Sequence, residues 1–468
     1  MRTRLLFIAI IALAGCEQSP SVTVNGELLV GKFVGESVAT FLGVPFAEPP
    51  VGDLRWRTPQ ALISKRERRD TTEFAAACMQ TMRILDWYRY MAETFGASPD
   101  YYEDLEVSED CLYLNLWTPT LDSDAKLPVM VWIHGGSNKS GWPYEKNYRG
   151  NVLAPQGVVV ITVAYRQGVF GFLSHPELDG EDAVANFGLW DLVTALQWIQ
   201  DNVAQFGGDP DRVTLFGESA GAENILALMF SNDAKNLFHR AALQSTAGYG
   251  ISQPTLEDEQ GRGTDLMMAM GANSLRDLRQ ADAATLLETY TELAADHYHS
   301  PAIDDQLITE STWKSLQSDR WPDHAVIIGT NADEYLDKTA TANEYTCPSQ
   351  SVAAKRTASG GDAWMYFFSR VREDETGAEI GAYHGAEYAY VFGVHDDFMT
   401  TTDWDLDLST LMQKYWINFA KSGDPNGAGL PEWPMFKRPD AFVQEFGDEI
   451  ITIPAIEPEM CAAFEAAN

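Results

Sequence analysis

The chain has 468 residues, 45% of them hydrophobic, with 68 acidic against 33 basic side chains and a formal net charge of −35. That length and hydrophobic share supply ample core and leave room for up to three domains. So acidic a surface repels nucleic acid and anionic membranes and draws in cations weakly, an effect that salt reduces, and it leaves the substrate open.

In chain order, Met1-Arg2-Thr3-Arg4 is a basic start, residues 5–12 are an apolar run, and Leu13-Ala14-Gly15-Cys16 closes it with small residues before a cysteine. This reads as a secretion signal, too short to span a bilayer as a mature helix. Its last four residues resemble the lipobox of bacterial lipoproteins, so Cys16 is expected to be lipidated and to tether the protein to a membrane; an ordinary cleaved signal is the alternative. Glu17 is not the aspartate that retains such proteins at the inner membrane, which favours an outer-membrane or surface address over a periplasmic or secreted one.

No linker, repeat or low-complexity run divides residues 21–468, which are predicted to form one α/β domain around a mostly parallel sheet flanked by helices. Residues 127–133, 158–165, 213–216, 241–244, 325–329 and 363–368 read as buried strands. Residues 188–199 and 220–229 have helical spacing. The more polar stretch 255–320 is expected to be helical or looped and to cap the site. Past Cys16, an even set of cysteines, Cys78, Cys111, Cys347 and Cys461, suggests two disulfides in an exported chain. No C-x-x-C or H-E-x-x-H pattern occurs, and the His297/His299 pair has no third ligand nearby, so no metal is expected.

The segment Val213-Thr214-Leu215-Phe216-Gly217-Glu218-Ser219-Ala220-Gly221-Ala222 reads as a strand, a sharp turn with Ser219 at its apex, and a helix. Gly217 and Gly221 let helix and strand pack closely and leave the hydroxyl exposed. A G-x-S-x-G pentapeptide arises by chance in about one such chain in five. Gly35-Glu36-Ser37-Val38-Ala39 is a near miss without the strand-then-helix context. Ser219 falls at the carboxyl end of a central strand, where open α/β sheets bind ligands.

With these elements in place, the chain resembles the type-B carboxylesterases, the α/β-hydrolases that include cholinesterases and para-nitrobenzyl esterases. The resemblance is carried by Phe41-Leu42-Gly43-Val44-Pro45-Phe46-Ala47-Glu48-Pro49-Pro50 with Leu54-Arg55-Trp56, by Glu109-Asp110-Cys111-Leu112-Tyr113-Leu114-Asn115-Leu116-Trp117, by Phe206-Gly207-Gly208-Asp209-Pro210 before the serine turn, and by residues 418–426. It implies a Ser-Glu-His order of catalytic residues: Ser219, Glu334 after residues 328–333, and His384 within residues 381–387. Asp333 stays as the alternative to Glu334. A serine hydroxyl needs a neutral imidazole to take its proton, and a carboxylate to fix the imidazole and stabilise its cation.

The same resemblance implies an oxyanion hole from the backbone N–H groups of Gly136, Ser137 and Ala220. The chain departs from the family at Ser137, where glycine or alanine is common, and at Asn138, where an aromatic is common. Ser245 is similar to a serine bonded within the triad network, the alternative being a plain strand-end serine. Glu218 is similar to a buried glutamate that shapes the field of the site. His297 and His299 fall where acyl-pocket aromatics often lie, which would favour a polar acyl group. Cys78 and Cys111 match a family disulfide closing an Ω-loop over the gorge, leaving Cys347 and Cys461 as the residual pair; Trp87, Tyr88, Tyr90, Tyr101 and Tyr102 in that loop could line the entrance. The implied activity is hydrolysis of small to medium soluble carboxylic esters without cofactor or metal. A lipase acting at lipid surfaces and a non-catalytic binding relative are the alternatives. The sequence carries no signal for an oligomeric state.

Overall fold

The computed structural model describes residues 19–35, 37–63, 66–246, 248, 253–294, 299–335 and 337–467, so Cys16 and His297 lie outside the described residues. Among these, an eleven-stranded sheet runs in the order Ile450–Pro454, Phe442–Phe446, Ala363–Phe368, Ala325–Asn331, Arg240–Gln244, Gly208–Glu218, Leu127–Ile133, Val159–Val163, Tyr113–Thr118, Val38–Pro45 and Lys32–Val34. From Phe442–Phe446 to Val159–Val163 neighbouring strands are parallel. Antiparallel strands close both edges. This is the expected α/β-hydrolase fold. The predicted strand 213–216 extends to Gly208–Glu218, whereas 158–165 shortens to Val159–Val163.

Side-chain alternation along the strands builds a core on each face. Val129, Val131, Ile133, Leu215, Ile328 and Met365 face one way, against helices Phe187–Asn202, Ala220–Phe230 and Cys347–Ala358. Met130, Trp132, Phe216, Ile327 and Tyr366 face the other, against helix Asp403–Ser422. That helix starts at a capping box, Thr402 and Asp405 bonding each other's backbone, and stops at Gly423 with φ 84°.

A separate hairpin, Ser21–Val24 with Glu27–Val30, turns at Asn25-Gly26, whose φ values of 49° and 84° fit the two-residue turn that Asn-Gly favours. The two quoted signatures meet physically: Arg55 grips Glu109 with two 2.6 Å hydrogen bonds, and the neighbouring Trp56, fully buried, donates to Val169 O. These residues tie loops to the core.

The structure pairs Cys78 with Cys111 and Cys347 with Cys461, across sequence separations of 33 and 114. Loop-closure entropy grows with the logarithm of loop length, so replacing Cys347 and Cys461 by alanine is expected to lower the unfolding free energy about 1 kcal/mol more than replacing Cys78 and Cys111. Chemical denaturation of the two double variants checks the ordering.

Candidate active site

Ser219 follows directly on strand Gly208–Glu218 and opens helix Ala220–Phe230. Its φ of 53° and ψ of −129° lie outside the regions a residue with a Cβ prefers, so the surroundings must impose them. Part of that hold is Ser219 N donating to Gln244 O of the adjacent strand at 2.9 Å. The rest is steric. A Cβ on Gly221 would stand 2.1 Å from Ile133 O, and one on Gly217 2.6 Å from the same oxygen. The near-miss Ser37 instead sits exposed in the turn between Lys32–Val34 and Val38–Pro45.

The loop after strand Leu127–Ile133 runs alongside. A Cβ on Gly135 would come within 3.1 Å of Ser219 Cβ, which shows how near the loop lies to the serine. Gly136, Ser137 and Asn138 have φ of 104°, 59° and 53°, and Ser137 adopts a conformation that glycine takes more easily. The amides of Gly136, Ser137 and Ala220 find no acceptor among the described residues. Gly136 and Ser137 border the cavity that Ser219 also borders. Asn138, where the chain departs from the family pattern, is fully buried and does not border the cavity. It receives Asn224 Nδ2 at 2.8 Å and Tyr165 Oη at 3.2 Å, and donates to His299 O at 2.7 Å.

Glu334 and His384 meet. Glu334 Oε2 is 2.5 Å from His384 Nδ1, while Oε1 accepts from Thr330 Oγ1 and Asn331 N, both at 2.8 Å. Burial works against the carboxylate, yet His384 and these donors hold its pKa below the ordinary range. Ser245, fully buried, adds to that stabilisation, though its hydroxyl is not aligned for a strict hydrogen bond. Asp333 is engaged elsewhere: its carboxylate accepts from Ala382 N at 2.9 Å and its amide donates to Ala382 O, fixing the loop that carries His384.

His384 keeps 32% of its side chain open. Its Nε2 lies 2.9 Å from Glu218 Oε1, a charge contact without hydrogen-bond alignment. No hydrogen bond joins it to Ser219 Oγ. Burial opposes the imidazolium, but the carboxylates of Glu218 and Glu334 outweigh it and raise the His384 pKa well above its usual value.

The cavity takes Trp87, Tyr88 and Tyr102 from the Ω-loop, while Tyr90 stays 56% exposed and Tyr101 packs on Phe398. It also takes Glu145, Tyr148 and Asp396, which the sequence reading did not single out. Burial pushes the Glu145 carboxyl up to about 7, against hydrogen bonds that include Tyr88 Oη and Trp142 N. Tyr102 Oη donates to Asp396 at 2.9 Å. No short motif marks these residues. Among the described residues, none from 255–320 borders the cavity. Helices Leu256–Ala269, Leu275–Gln280 and Ala283–Leu293 pack instead against Val169, Phe170 and Leu173. His299 is buried there, its ring 5.5 Å from Tyr290, and does not reach the cavity wall.

The model of the carboxylesterase family matches residues 18–344 and 336–453. Liver carboxylesterase of Sus scrofa is 31% identical over 92% of this chain and 90% of its own length. Fumonisin B1 esterase of Sphingopyxis macrogoltabida is 30% identical over 88% and 84%. A solved PNB esterase superposes with a TM-score of 0.82 at 28% identity, covering 95% of this chain and 99% of that one. On sequence and fold together, the chain belongs to the carboxylesterase family and is a serine carboxylic ester hydrolase.

Proposed function

We propose that the protein hydrolyses small to medium soluble carboxylic esters through an acyl-enzyme, with Ser219 as nucleophile, His384 as base and Glu334 as its partner. The observation that carries this reading is the 2.5 Å contact of Glu334 with His384 Nδ1, which leaves Nε2, 2.9 Å from Glu218 Oε1, as the ring nitrogen available in a cavity that Glu218, Ser219 and His384 all border. His384 Nε2 exchanges Glu218 for Ser219 Oγ and takes its proton as Oγ attacks the carbonyl carbon. The oxyanion is received by the N–H groups of Gly136, Ser137 and Ala220. His384 then protonates the departing alkoxide. Water, deprotonated by the same imidazole, releases the acid and restores Ser219.

The cavity measures about 120 Å³, against roughly 300–1,000 Å³ for sites that enclose drug-sized ligands. This supports short acyl chains. The Cys78–Cys111 segment serves as a cap over the mouth, and residues 255–320 form a flanking insertion of one domain spanning 21–468. The two disulfides support an address outside the cytoplasm, and the lipobox-like start supports tethering through Cys16. No described helix is long and apolar enough to cross a membrane.

On para-nitrophenyl esters, the acetate is expected to turn over and the palmitate to fail, and Ser219→Ala is expected to lower kcat by at least about 10⁴-fold. Retained hydrolysis in the purified variant would sink the assignment. Since the base must be neutral and two carboxylates raise its pKa, the acid limb of kcat/KM should lie above the ordinary histidine value. Glu218→Gln removes one of those charges and should shift the limb to lower pH, as a pH-rate profile of both enzymes will read.

A further inference from the structure

The Cys78–Cys111 segment grips the proposed oxyanion loop at both ends. Gln80, 2% exposed, donates from Nε2 to Gly141 O at 2.8 Å and accepts from Gly141 N at 2.6 Å, so one side chain holds both backbone groups of that residue. Three residues on, Arg83, the first residue of helix Arg83–Thr94, donates from Nη2 to Gly136 O at 2.8 Å, with Ser137 Oγ 3.5 Å from the same nitrogen. Gly136 O also receives the amides of Lys139 and Ser140 at 3.1 and 3.2 Å.

Gly136 C=O and Ser137 N–H are the two ends of one planar trans peptide, so they point in opposite directions. Donors gathered on the oxygen fix that plane and aim the N–H away from Arg83. A charged donor on the oxygen also polarises the unit, which makes the N–H a stronger donor. The hold matters because Ser137 sits at φ 59°, a conformation that costs a residue with a Cβ more than glycine.

We propose that Arg83 is a positioning residue for ester hydrolysis, aiming and strengthening the Ser137 N–H that receives the oxyanion, so that the disulfide-closed segment is part of the catalytic apparatus. This rests on the assignment of Ser137 as an oxyanion donor. The charge it serves exists only in the transition state. Its loss therefore falls on kcat and leaves KM nearly unchanged.

The test compares full-length wild type, Arg83→Met and Arg83→Lys on para-nitrophenyl acetate and on the anionic para-nitrophenyl hemisuccinate, with inhibition by an aryl trifluoromethyl ketone as a mimic of the tetrahedral state. Arg83→Met should lower kcat about tenfold on both esters, with KM within about twofold, and weaken the ketone in proportion to kcat/KM. Arg83→Lys, keeping the charge and one donor, should recover part of the loss. An unchanged kcat in Arg83→Met overturns the proposal. So does a loss confined to the hemisuccinate and seated in KM, which would make Arg83 a substrate-binding group instead. A wild type that hydrolyses neither ester and is not acylated at Ser219 fails the function reading itself, an outcome distinct from an active wild type beside an equally active Arg83→Met.

Discussion

The site depends on how closely two backbones meet. Strands Leu127–Ile133 and Gly208–Glu218 are neighbours in the sheet, with Gly217 paired to Ile133. Beyond that pair, the helix opening at Ala220 lies so near Ile133 O that Gly221 has no room for a side chain. The chain order also reverses here, since Val159–Val163 lies beyond Leu127–Ile133 while later strands add on the far side of Gly208–Glu218. Such a crevice at the carboxyl ends of parallel strands is where open sheets bind ligands. One strand end delivers the serine and the other delivers a loop in which the amides of Gly136 and Ser137 have no acceptor among the described residues. Because side chains alternate faces and both faces are buried, a one-residue slip of this register would send every residue of the strand into the opposite core.

Charge follows from that geometry. Glu218 comes from the serine turn, Glu334 from the end of Ala325–Asn331, and Glu387 from just past His384. Glu387 is fully buried, accepts from Gln244 Nε2 at 3.0 Å and Asn331 Nδ2 at 2.6 Å, and has its pKa pushed to about 7 by burial and by the other two carboxylates. Two carboxylates thus flank one imidazole, with the Glu387 carboxyl buried in the field of both. In the proposed reaction the imidazolium forms between those two, so positive charge on the ring is favoured before any substrate arrives. That arrangement stabilises the charged intermediate and raises the pH needed to free the base.

The serine turn was legible in the sequence because steric need is written as glycine, at positions 217 and 221, between a continuous apolar run and a helical one. The central parallel strands were legible for a related reason: buried on both faces, they read as short, nearly continuous apolar runs. The antiparallel edges were not, since Val38–Pro45 and Tyr113–Thr118 lie within signature stretches and carry no clean alternation. Asn25-Gly26 marks its hairpin in the sequence, since both residues tolerate the positive φ that the turn requires. Glu334 and Asp333 are adjacent carboxylates that only the family resemblance tells apart in the sequence; in the fold Glu334 reaches the imidazole and Asp333 a loop amide. Arg83, Gln80 and Glu145 needed three dimensions, since their partners lie 53 to 61 residues away along the chain in two of those cases. His299 and the helices of 255–320 show the converse: alignment to a motif suggests an acyl pocket for the first and polarity suggests a cap for the second, whereas no described residue of either borders the cavity.

The Arg55–Glu109 pair has a wider consequence. It joins the two stretches that most visibly mark the family, yet neither residue borders the cavity of Ser219. Those signatures therefore record how loops are anchored, and selection for a stable scaffold would preserve them after the chemistry had gone. A descendant could lose its imidazole, keep every recognisable stretch, and still be sorted among the esterases.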